Sequence, residues 1–214
     1  MPEPADQPKW RRRKEARPRD IAAAALEIFG EKGFARARID EIAARAGVSK
    51  GTLYLYFETK ADIFRAVVRE TVTPNIAAFE EAVLGLDMPF AELVRMLLPR
   101  FAEMAAAMPI GRIVKMVVGE SRNFPELARV WHDDVVDKAV SVLAARIERA
   151  QAGGEIRPGD ARVHAFSIMG PMLLGVLWRE TFTPVGGVAI DLVAIAHQHA
   201  DIVLGGLIVE EARP

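Results

Sequence analysis

The segment between residues 38 and 57 combines a helical pattern of apolar residues with side chains that can bind nucleic acid. Lysine and threonine can hydrogen-bond base edges or phosphates, a tyrosine hydroxyl can reach a phosphate, and glycine lets a backbone approach closely. The residues concerned are Lys50, Gly51, Thr52, Tyr54 and Tyr56. On spacing alone, DNA binding and a small helical hairpin with solvated polar faces are equally good interpretations.

Two short helical patterns joined by a tight turn are expected to position these groups. Ile42 marks the buried side of the first pattern, and Leu53 and Phe57, four residues apart, mark that of the second. Gly47 suits a left-handed helix end, and Ser49 suits a helix start because its hydroxyl can accept a backbone N–H from the next turn. This is the helix-turn-helix layout, whose second helix enters a DNA major groove.

Composition favours an all-α globular protein. The chain has 214 residues, 51% hydrophobic and 27% charged, and no segment shows strand periodicity. Cysteine is absent, which excludes disulfides and thiol chemistry. There is no phosphate-binding loop, zinc-protease motif or nucleophile elbow, and His197 and His199 lie on different faces of a helix. The sequence therefore predicts no enzyme activity, no metal site and no cofactor.

Two further features concern location. The chain starts without an apolar signal segment. The longest uncharged run in the helical body, residues 165–178, is shorter than the roughly 20 residues that span a bilayer. We therefore expect a soluble, cytoplasmic protein that does not bind membranes.

Charge is unevenly distributed along the chain. Residues 1–60 contain 13 Lys+Arg and 9 Asp+Glu, whereas the remainder contains 15 and 20. This fits a DNA-binding head on a body that does not contact DNA, although random scatter can give such a difference. Residues 1–17 combine three prolines with the basic run Lys9–Lys14. They predict a disordered basic arm, either a solvated tail or a contact to phosphates or the minor groove.

Capping and breaker residues divide the rest into helices. The first should begin near Pro18 and end at Gly33, and Thr59 should cap another that begins at Lys60. Further predicted helices cover residues 88–107, 110–122, 123–150, 160–182 and 189–209, with caps from Asp87, an Asn123/Glu126 capping box and Asp160.

Three segments resemble the N-terminal domain of the TetR family of transcriptional regulators. They are I-A-A-A-A-L-E-I-F-G-E-K-G-F (21–34), I-D-E-I-A-A-R-A-G-V-S-K-G-T-L-Y-L-Y-F (39–57) and K-A-D-I-F (60–64). The resemblance implies an all-α homodimer, with an N-terminal three-helix DNA-binding domain and a larger C-terminal bundle. It also implies a repressor that leaves a palindromic operator in double-stranded DNA when a small-molecule inducer binds.

The resemblance divides the chain into an arm (1–17), a DNA-binding domain (18–64, with the motif at 38–57) and a ligand-binding and dimerisation domain (65–214). Within the motif, Lys50, Gly51, Thr52 and Tyr54 fall on positions that contact bases and backbone, with Ser49 as the cap before them. Tyr56 and Lys60 fall on positions that contact phosphate. Arg38 stands where the family usually has Thr or Ser. It cannot cap the helix, so we expect Asp40 and Glu41 to act on the helix dipole instead and Arg38 to pair with a phosphate.

The body is expected to hold a hydrophobic or aromatic inducer, because methionine and aromatic side chains adapt to apolar ligands. Plain core packing is the competing interpretation for each residue. The candidate lining residues are Phe79, Met96, Phe101, Met104, Met108, Met116, Glu120, Trp131, Met169 and Met172. The last two long helices should form the homodimer. They carry Gly170, Gly175, Gly205 and Gly206 beside Leu174, Leu177, Ile195, Ile202 and Val203.

Three alternatives remain at this point. The protein could bind DNA without any ligand, it could activate rather than repress, or the bundle could be an enzyme. The C-terminal segments F-P-E-L-A-R-V-W (124–131) and A-G-G-E-I-R-P-G-D (152–160) resemble one broad subgroup of the family, but they name no inducer.

Overall fold

A computed structural model describes residues 9–209, with side chains from residue 17 onward. This part of the chain folds into eleven α-helices and contains no strand, apart from a single antiparallel bridge between Ile156 and Ile208. The helices are α1 (Lys9–Arg36), α2 (Ile39–Arg45), α3 (Lys50–Tyr54), α4 (Lys60–Thr71), α5 (Thr73–Gly85), α6 (Phe90–Ala107), α7 (Ile110–Glu120), α8 (Pro125–Trp131), α9 (Asp137–Ala152), α10 (Ala161–Thr181) and α11 (Leu192–Leu207). A π turn (His132–Val136) joins α8 to α9.

Helices α1–α4 form a small head. Helix α1 packs against α2, α4 and α7. Its helical geometry breaks at Gly33, whose φ of 76° is the left-handed conformation that glycine adopts without strain. Phe34 then turns into the core, 5.3 Å from the ring of Phe29 and 6.3 Å from that of Phe64. The predicted end of the first helix is therefore confirmed.

The helix starts differ from the predictions in three places. Helix α1 begins at Lys9 rather than near Pro18, so residues 9–17 of the expected disordered arm are helical, while residues 1–8 and the basic side chains of residues 9–14 lie outside the described part. Asp87 does not cap α6, whose first turn follows Pro89. The Asn123/Glu126 capping box does not form, because α8 starts after Phe124 without a side-chain cap.

Two predicted helix boundaries also change. The long helix over 123–150 is interrupted by the π turn, which separates α8 from α9. No separate helix was predicted over residues 73–85, where α5 lies, although Pro74 in its first turn is a normal helix-starting residue. The caps from Thr59 and Asp160 are confirmed, since each side chain accepts backbone N–H groups at its helix start.

Two apolar clusters hold the fold together. The head cluster joins the head to α7 and α8, and its buried members include Ile21, Phe29, Phe34, Ile42, Leu53, Phe64, Val68, Val72, Ile113, Val117, Leu127 and Val135. The body cluster joins α6, α9, α10 and α11, and its buried members include Phe90, Leu98, Ala102, Leu143, Ile147, Ala165, Ile168, Met172, Val176, Ala196 and Leu204. The head core therefore continues into the body through α7 and α8.

A buried arginine ties the body together at the start of α6. Arg146 of α9 is only 4% exposed; it donates to the carbonyl of Met88 (2.7 Å) and lies 3.6 Å from Glu155. Glu155 also accepts the backbone N–H of Phe90, so it supplies the cap that α6 lacks in its own sequence. A buried charge of this kind requires its partner, because an unpaired guanidinium cannot regain its hydration.

We predict that Glu155→Ala destabilises the fold by about 1–3 kcal/mol, because it leaves Arg146 without its counter-charge and Phe90 without an acceptor. Asp87→Ala is the matched control, since the nearby Asp87–Arg149 pair is fully exposed at Asp87 and exposed pairs contribute roughly 0–1 kcal/mol. Urea unfolding of both variants measures the difference. Equal effects would show that the buried contact does not stabilise the protein.

Candidate DNA-binding surface and ligand cavity

The turn between α2 and α3 has the geometry predicted from its sequence. Gly47 has a φ of 67°, and the N–H of Val48 reaches back to the carbonyl of Ala43 (3.0 Å), which closes the end of α2. The hydroxyl of Ser49 accepts the N–H of Thr52 (3.0 Å) and so caps α3. Leu53 is fully buried in the head cluster, which fixes the side of α3 that faces the solvent.

The outer side of α3 carries most of the predicted DNA-binding residues. Ser49, Lys50, Gly51 and Tyr54 are exposed, as is Leu55, at 82%. Two more of the predicted residues in this segment are less available: the Thr52 hydroxyl lies 2.8 Å from that of Ser49, and Tyr56 is half-buried and packs against the head cluster. The exposed edge is thus short, and it combines a cation, an aromatic hydroxyl and a bare backbone position.

An acidic residue that was not predicted to bind DNA lies beside two of the predicted DNA-binding cations, Arg38 and Lys50. Asp40 receives a hydrogen bond from Arg38 (2.9 Å) and lies 3.8 Å from the ammonium of Lys50. A hydrogen bond from its own backbone N–H, followed by the one from Arg38, lowers the pKa of Asp40 below its ordinary value. Arg38 gives no side-chain cap to α2, as expected, and Asp40 and Glu41 occupy the first turn. Asp40 therefore pairs with both Arg38 and Lys50 and partly neutralises them.

Lys60 is placed differently from its predicted phosphate-binding role. Its ammonium donates to the carbonyls of Phe34 (2.6 Å), Ala37 (3.1 Å) and Ala35 (3.2 Å) and lies 4.5 Å from the centre of the Phe34 ring. Burial lowers the pKa of Lys60, while the charge of Glu120 acts in the opposite direction. In this arrangement Lys60 binds the carbonyls at the end of α1, and a phosphate contact would require it to leave them.

Glu120, predicted as a pocket residue, lies at the joint between head and body. Its Oε1 accepts the backbone N–H of Ala35 (3.2 Å) and would meet a Cβ atom at Gly33 at 3.2 Å. Glu120 ends α7, and the same helix contributes Ile113 and Val117 to the head cluster. The carboxylate therefore connects the end of α7 to the end of α1.

An apolar cavity of about 230 Å³ lies in the body. Asn75 is the one lining residue that carries a side-chain amide, carboxylate, hydroxyl or cation. The lining is Val72, Asn75, Ile76, Phe79, Val94, Leu97, Leu98, Phe101, Met104, Ile110, Val114, Trp131, Val135, Val136, Ala139, Val140, Leu143, Phe166, Ile168, Met169, Gly170, Met172, Leu173 and Val176. Members of both apolar clusters contribute to it, so the cavity lies where the head cluster meets the body cluster.

Six predicted residues line this cavity, and four do not. The six are Phe79, Phe101, Met104, Trp131, Met169 and Met172; Met96, Met108, Met116 and Glu120 are not part of it. Met108 instead contacts the amide of Asn75 (3.4 Å), and Met116 packs against the head cluster. Of the α5 residues in the lining, Phe79 was predicted, whereas Asn75 and Ile76 were not. Ile110 and Val114 were not predicted either, because the apolar candidates were limited to methionine and aromatic residues.

Some of the residues predicted for the dimer face are exposed, and others are partly or fully buried. Gly170, Leu174, Ile202, Gly205 and Gly206 are exposed. Leu177, Ile195 and Val203 are half-buried, and Gly175 is buried against Leu192. One side of α10 and one side of α11 therefore face the solvent with apolar or side-chain-free positions.

No set of three or more His, Cys, Asp or Glu side chains suited to a metal ion occurs among the described residues. The segment Ala161–Val185 is long and apolar enough to cross a membrane. In the fold it packs against α7, α9 and α11, and Arg179 near its end donates to the carbonyl of Ala105.

The fold and the exposed α3 edge define a helix-turn-helix DNA-binding regulator, and comparison with known proteins gives the family. The family model for bacterial regulatory proteins, tetR family, matches residues 21–67, and the model for the tetracyclin repressor-like C-terminal domain matches residues 91–201. The chain belongs to the TetR family of transcriptional regulators and is a ligand-responsive DNA-binding regulator. Members of this family are typically homodimers.

Individual relatives extend over nearly the whole chain. The fatty acid metabolism regulator protein of Bacillus subtilis is 25% identical over 199 residues, which cover 91% of this chain and 98% of the relative. The structure of the regulator FadR from Bacillus subtilis in complex with stearoyl-CoA has a TM-score of 0.74 at 22% identity, covering 88% of this chain and 98% of that one. The SmeT–triclosan complex has a TM-score of 0.74 at 20% identity, covering 93% and 95%. Because these two structures are only 20–22% identical to this chain, their similarity shows a shared fold and not a shared ligand.

We predict that Asp40→Asn strengthens binding to DNA and steepens its salt dependence, because Arg38 and Lys50 lose their competing carboxylate. One additional phosphate contact steepens the slope of log K against log salt by about 0.9. Glu70→Gln is the control, since it removes the same charge from a pair with Arg19 away from α3. Fluorescence anisotropy at several salt concentrations measures both slopes, and an unchanged slope for Asp40→Asn would contradict the role given to Asp40.

Proposed function

We propose that the protein is a repressor that binds a palindromic operator as a homodimer and leaves it when an apolar ligand fills the cavity. It acts in the cytoplasm, with the exposed sides of α10 and α11 as its dimer face. The position of the cavity between the head cluster and the body cluster carries this proposal, because a ligand there touches residues that also support the head.

Two helices reach from the cavity to the head. Helix α4 starts at Lys60, which holds the end of α1, and is followed directly by Val72 in the cavity wall. Helix α7 starts with Ile110 and Val114 in the wall and ends with Glu120 at Ala35. A change in the cavity wall can therefore move the head through α4 or through α7.

The ligand can release DNA only if it binds more tightly to a dimer whose heads do not fit the operator. Two heads related by a two-fold axis read half-sites separated by about 34–36 Å, or one helical turn, or by multiples of it. A small rotation of α4 and α7 on each subunit would change that separation and weaken binding on both half-sites together.

The lining of the cavity restricts the ligand. A carboxylate inside would be buried without a cation, at a cost of several kcal/mol. This favours an acyl chain whose charged part stays outside the cavity, or a neutral aromatic molecule. A long-chain acyl-CoA fits the first description, and stearoyl-CoA is the ligand of the Bacillus subtilis FadR complex; triclosan, of the SmeT complex, fits the second.

The size of the cavity adds a further condition. Its volume of about 230 Å³ is below the roughly 300–1,000 Å³ of typical small-molecule pockets. A ligand that fills a pocket of typical volume must therefore displace side chains here. Met104, Met169 and Met172 in the wall are flexible enough to move. Filling the cavity and shifting the wall are then the same event.

We first predict which ligand releases DNA. After operator selection from a random DNA pool, stearoyl-CoA should weaken operator binding, whereas coenzyme A without the acyl chain should not. Triclosan is tested in parallel as the aromatic candidate. Ala139→Phe should abolish the response without loss of operator binding, because the added ring occupies part of the empty space and blocks the ligand without being large enough to shift the wall. Ala106→Phe, on the exposed side of α6, is the control. Failure of both ligands to bind wild-type protein would reject these two classes of inducer.

The second prediction concerns the joint between α7 and α1. Glu120→Ala should leave ligand affinity of the DNA-free protein unchanged but reduce the coupling between ligand and operator by about 0.5–2 kcal/mol. Ser121→Ala, at the next position, is the control because Ser121 bonds only within its own helix turn, to the carbonyl of Val118. Operator affinity with and without ligand gives the coupling. If Glu120→Ala keeps the full coupling between ligand and operator binding, the contact between α7 and α1 does not transmit the effect of the ligand, and α4 alone would do so.

A further inference from the structure

Helix α10 is apolar on two sides. Its inner side carries Ile168, Met172 and Val176, which are buried in the body cluster. Its outer side carries Val163 and Phe166, each 59% exposed, and Leu174, 64% exposed. Large apolar side chains on one continuous face are unusual for a surface that meets only water.

Three residues of α10 belong both to the cavity wall and to this outer side. Phe166, Gly170 and Leu173 line the cavity, and all three are exposed. Their spacing of four and three residues puts them on one stripe of the helix. At Gly170 there is no side chain, and a Cβ atom there would meet no other group within 4 Å. The cavity therefore reaches the surface along the stripe, and at Gly170 its wall consists of backbone alone.

The neighbouring helix continues the same kind of surface. On α11, Ile202 is exposed, and Gly205 and Gly206 are positions where an added Cβ would meet nothing within 4 Å. Glycines on an outward face let the backbone of another helix approach closely. A second copy of this chain is the occupant that fits, because members of the family are typically homodimers and a two-fold axis brings identical apolar stripes together.

We propose that the second copy of this chain closes the ligand cavity by covering its opening at Phe166, Gly170 and Leu173. The proposal rests on the dimer face given above and extends it: each subunit supplies an outer wall to its partner's cavity. Ligand binding and dimer formation are then linked reciprocally, since a ligand that needs the closed cavity strengthens the dimer by the same factor.

The absence of native cysteine allows a test that requires no knowledge of the ligand. Met169→Cys places a single thiol in the cavity wall, and its reaction with an aromatic disulfide reagent reports access to the cavity. The reaction is measured in this variant and in one that also carries Leu174→Glu, which puts a charge on the dimer face outside the cavity lining. Val118→Glu is the matched control, because Val118 is equally exposed, at 62%, but lies on α7.

Sedimentation velocity gives the oligomeric state of each variant, and circular dichroism shows that each is folded. We expect Leu174→Glu to produce monomers whose cavity thiol reacts about tenfold faster or more than that of the dimer, since thiol reactivity follows exposure. A Leu55→Cys variant, labelled on the head, should react equally fast in monomer and dimer.

Two results would overturn the proposal, and they are distinguishable. If Leu174→Glu gives monomers whose cavity thiol reacts no faster, the dimer face is right but does not cover the opening. If Leu174→Glu and the wild type are equally dimeric, the dimer forms elsewhere, and the proposal fails with that part of the proposed function. Operator binding by the wild-type protein tests the repressor role separately from both.

Discussion

The rest of the structure depends on two apolar clusters that meet without filling the space between them. Protein interiors are close-packed, so an unfilled apolar space lacks the contacts that its walls would otherwise make. At roughly 24 cal/mol per Å³ of cavity, the volume of about 230 Å³ corresponds to at most about 5.5 kcal/mol. A ligand that fills the space recovers part of this free energy, and two of the helices that enclose it, α7 and α8, also support the head.

The head is held by contacts that also make it sensitive to the body. Phe34 packs between the rings of Phe29, Phe64 and Phe124, and the last of these belongs to the segment that joins α7 to α8. Lys60 binds the carbonyls at the end of α1, and Glu120 accepts the N–H of Ala35. These groups stabilise the end of α1 only while α4 and α7 keep their relative positions. The head therefore cannot rotate independently of the walls of the cavity.

The sequence predicted the local features well, because short-range rules determine them. The Gly47 turn, the caps from Ser49, Thr59 and Asp160, and the burial of Leu53 follow from side chains within a few residues of one another. Features that depend on distant parts of the chain were predicted less well. The start of α6 is capped by Glu155, which is 65 positions away from Phe90, and not by Asp87 as predicted. Lys60 and Glu120 contact the end of α1 because of the tertiary fold. Apolar residues such as Ile110 gave no signal to distinguish a cavity wall from ordinary core.

The central claim is that a ligand too large for the space between the two clusters shifts the walls of that space and so moves the heads, and a distance measurement tests it most directly. Glu58 is exposed beside α3, and the chain has no cysteine, so Glu58→Cys carries one spin label on each head of a dimer. Pulsed electron–electron double resonance measures the distance between the two labels with and without stearoyl-CoA. The account predicts that the label-to-label distance shifts in the wild-type background and stays fixed in Ala139→Phe. Stoichiometric binding of stearoyl-CoA in the cavity with an unchanged distance would contradict it.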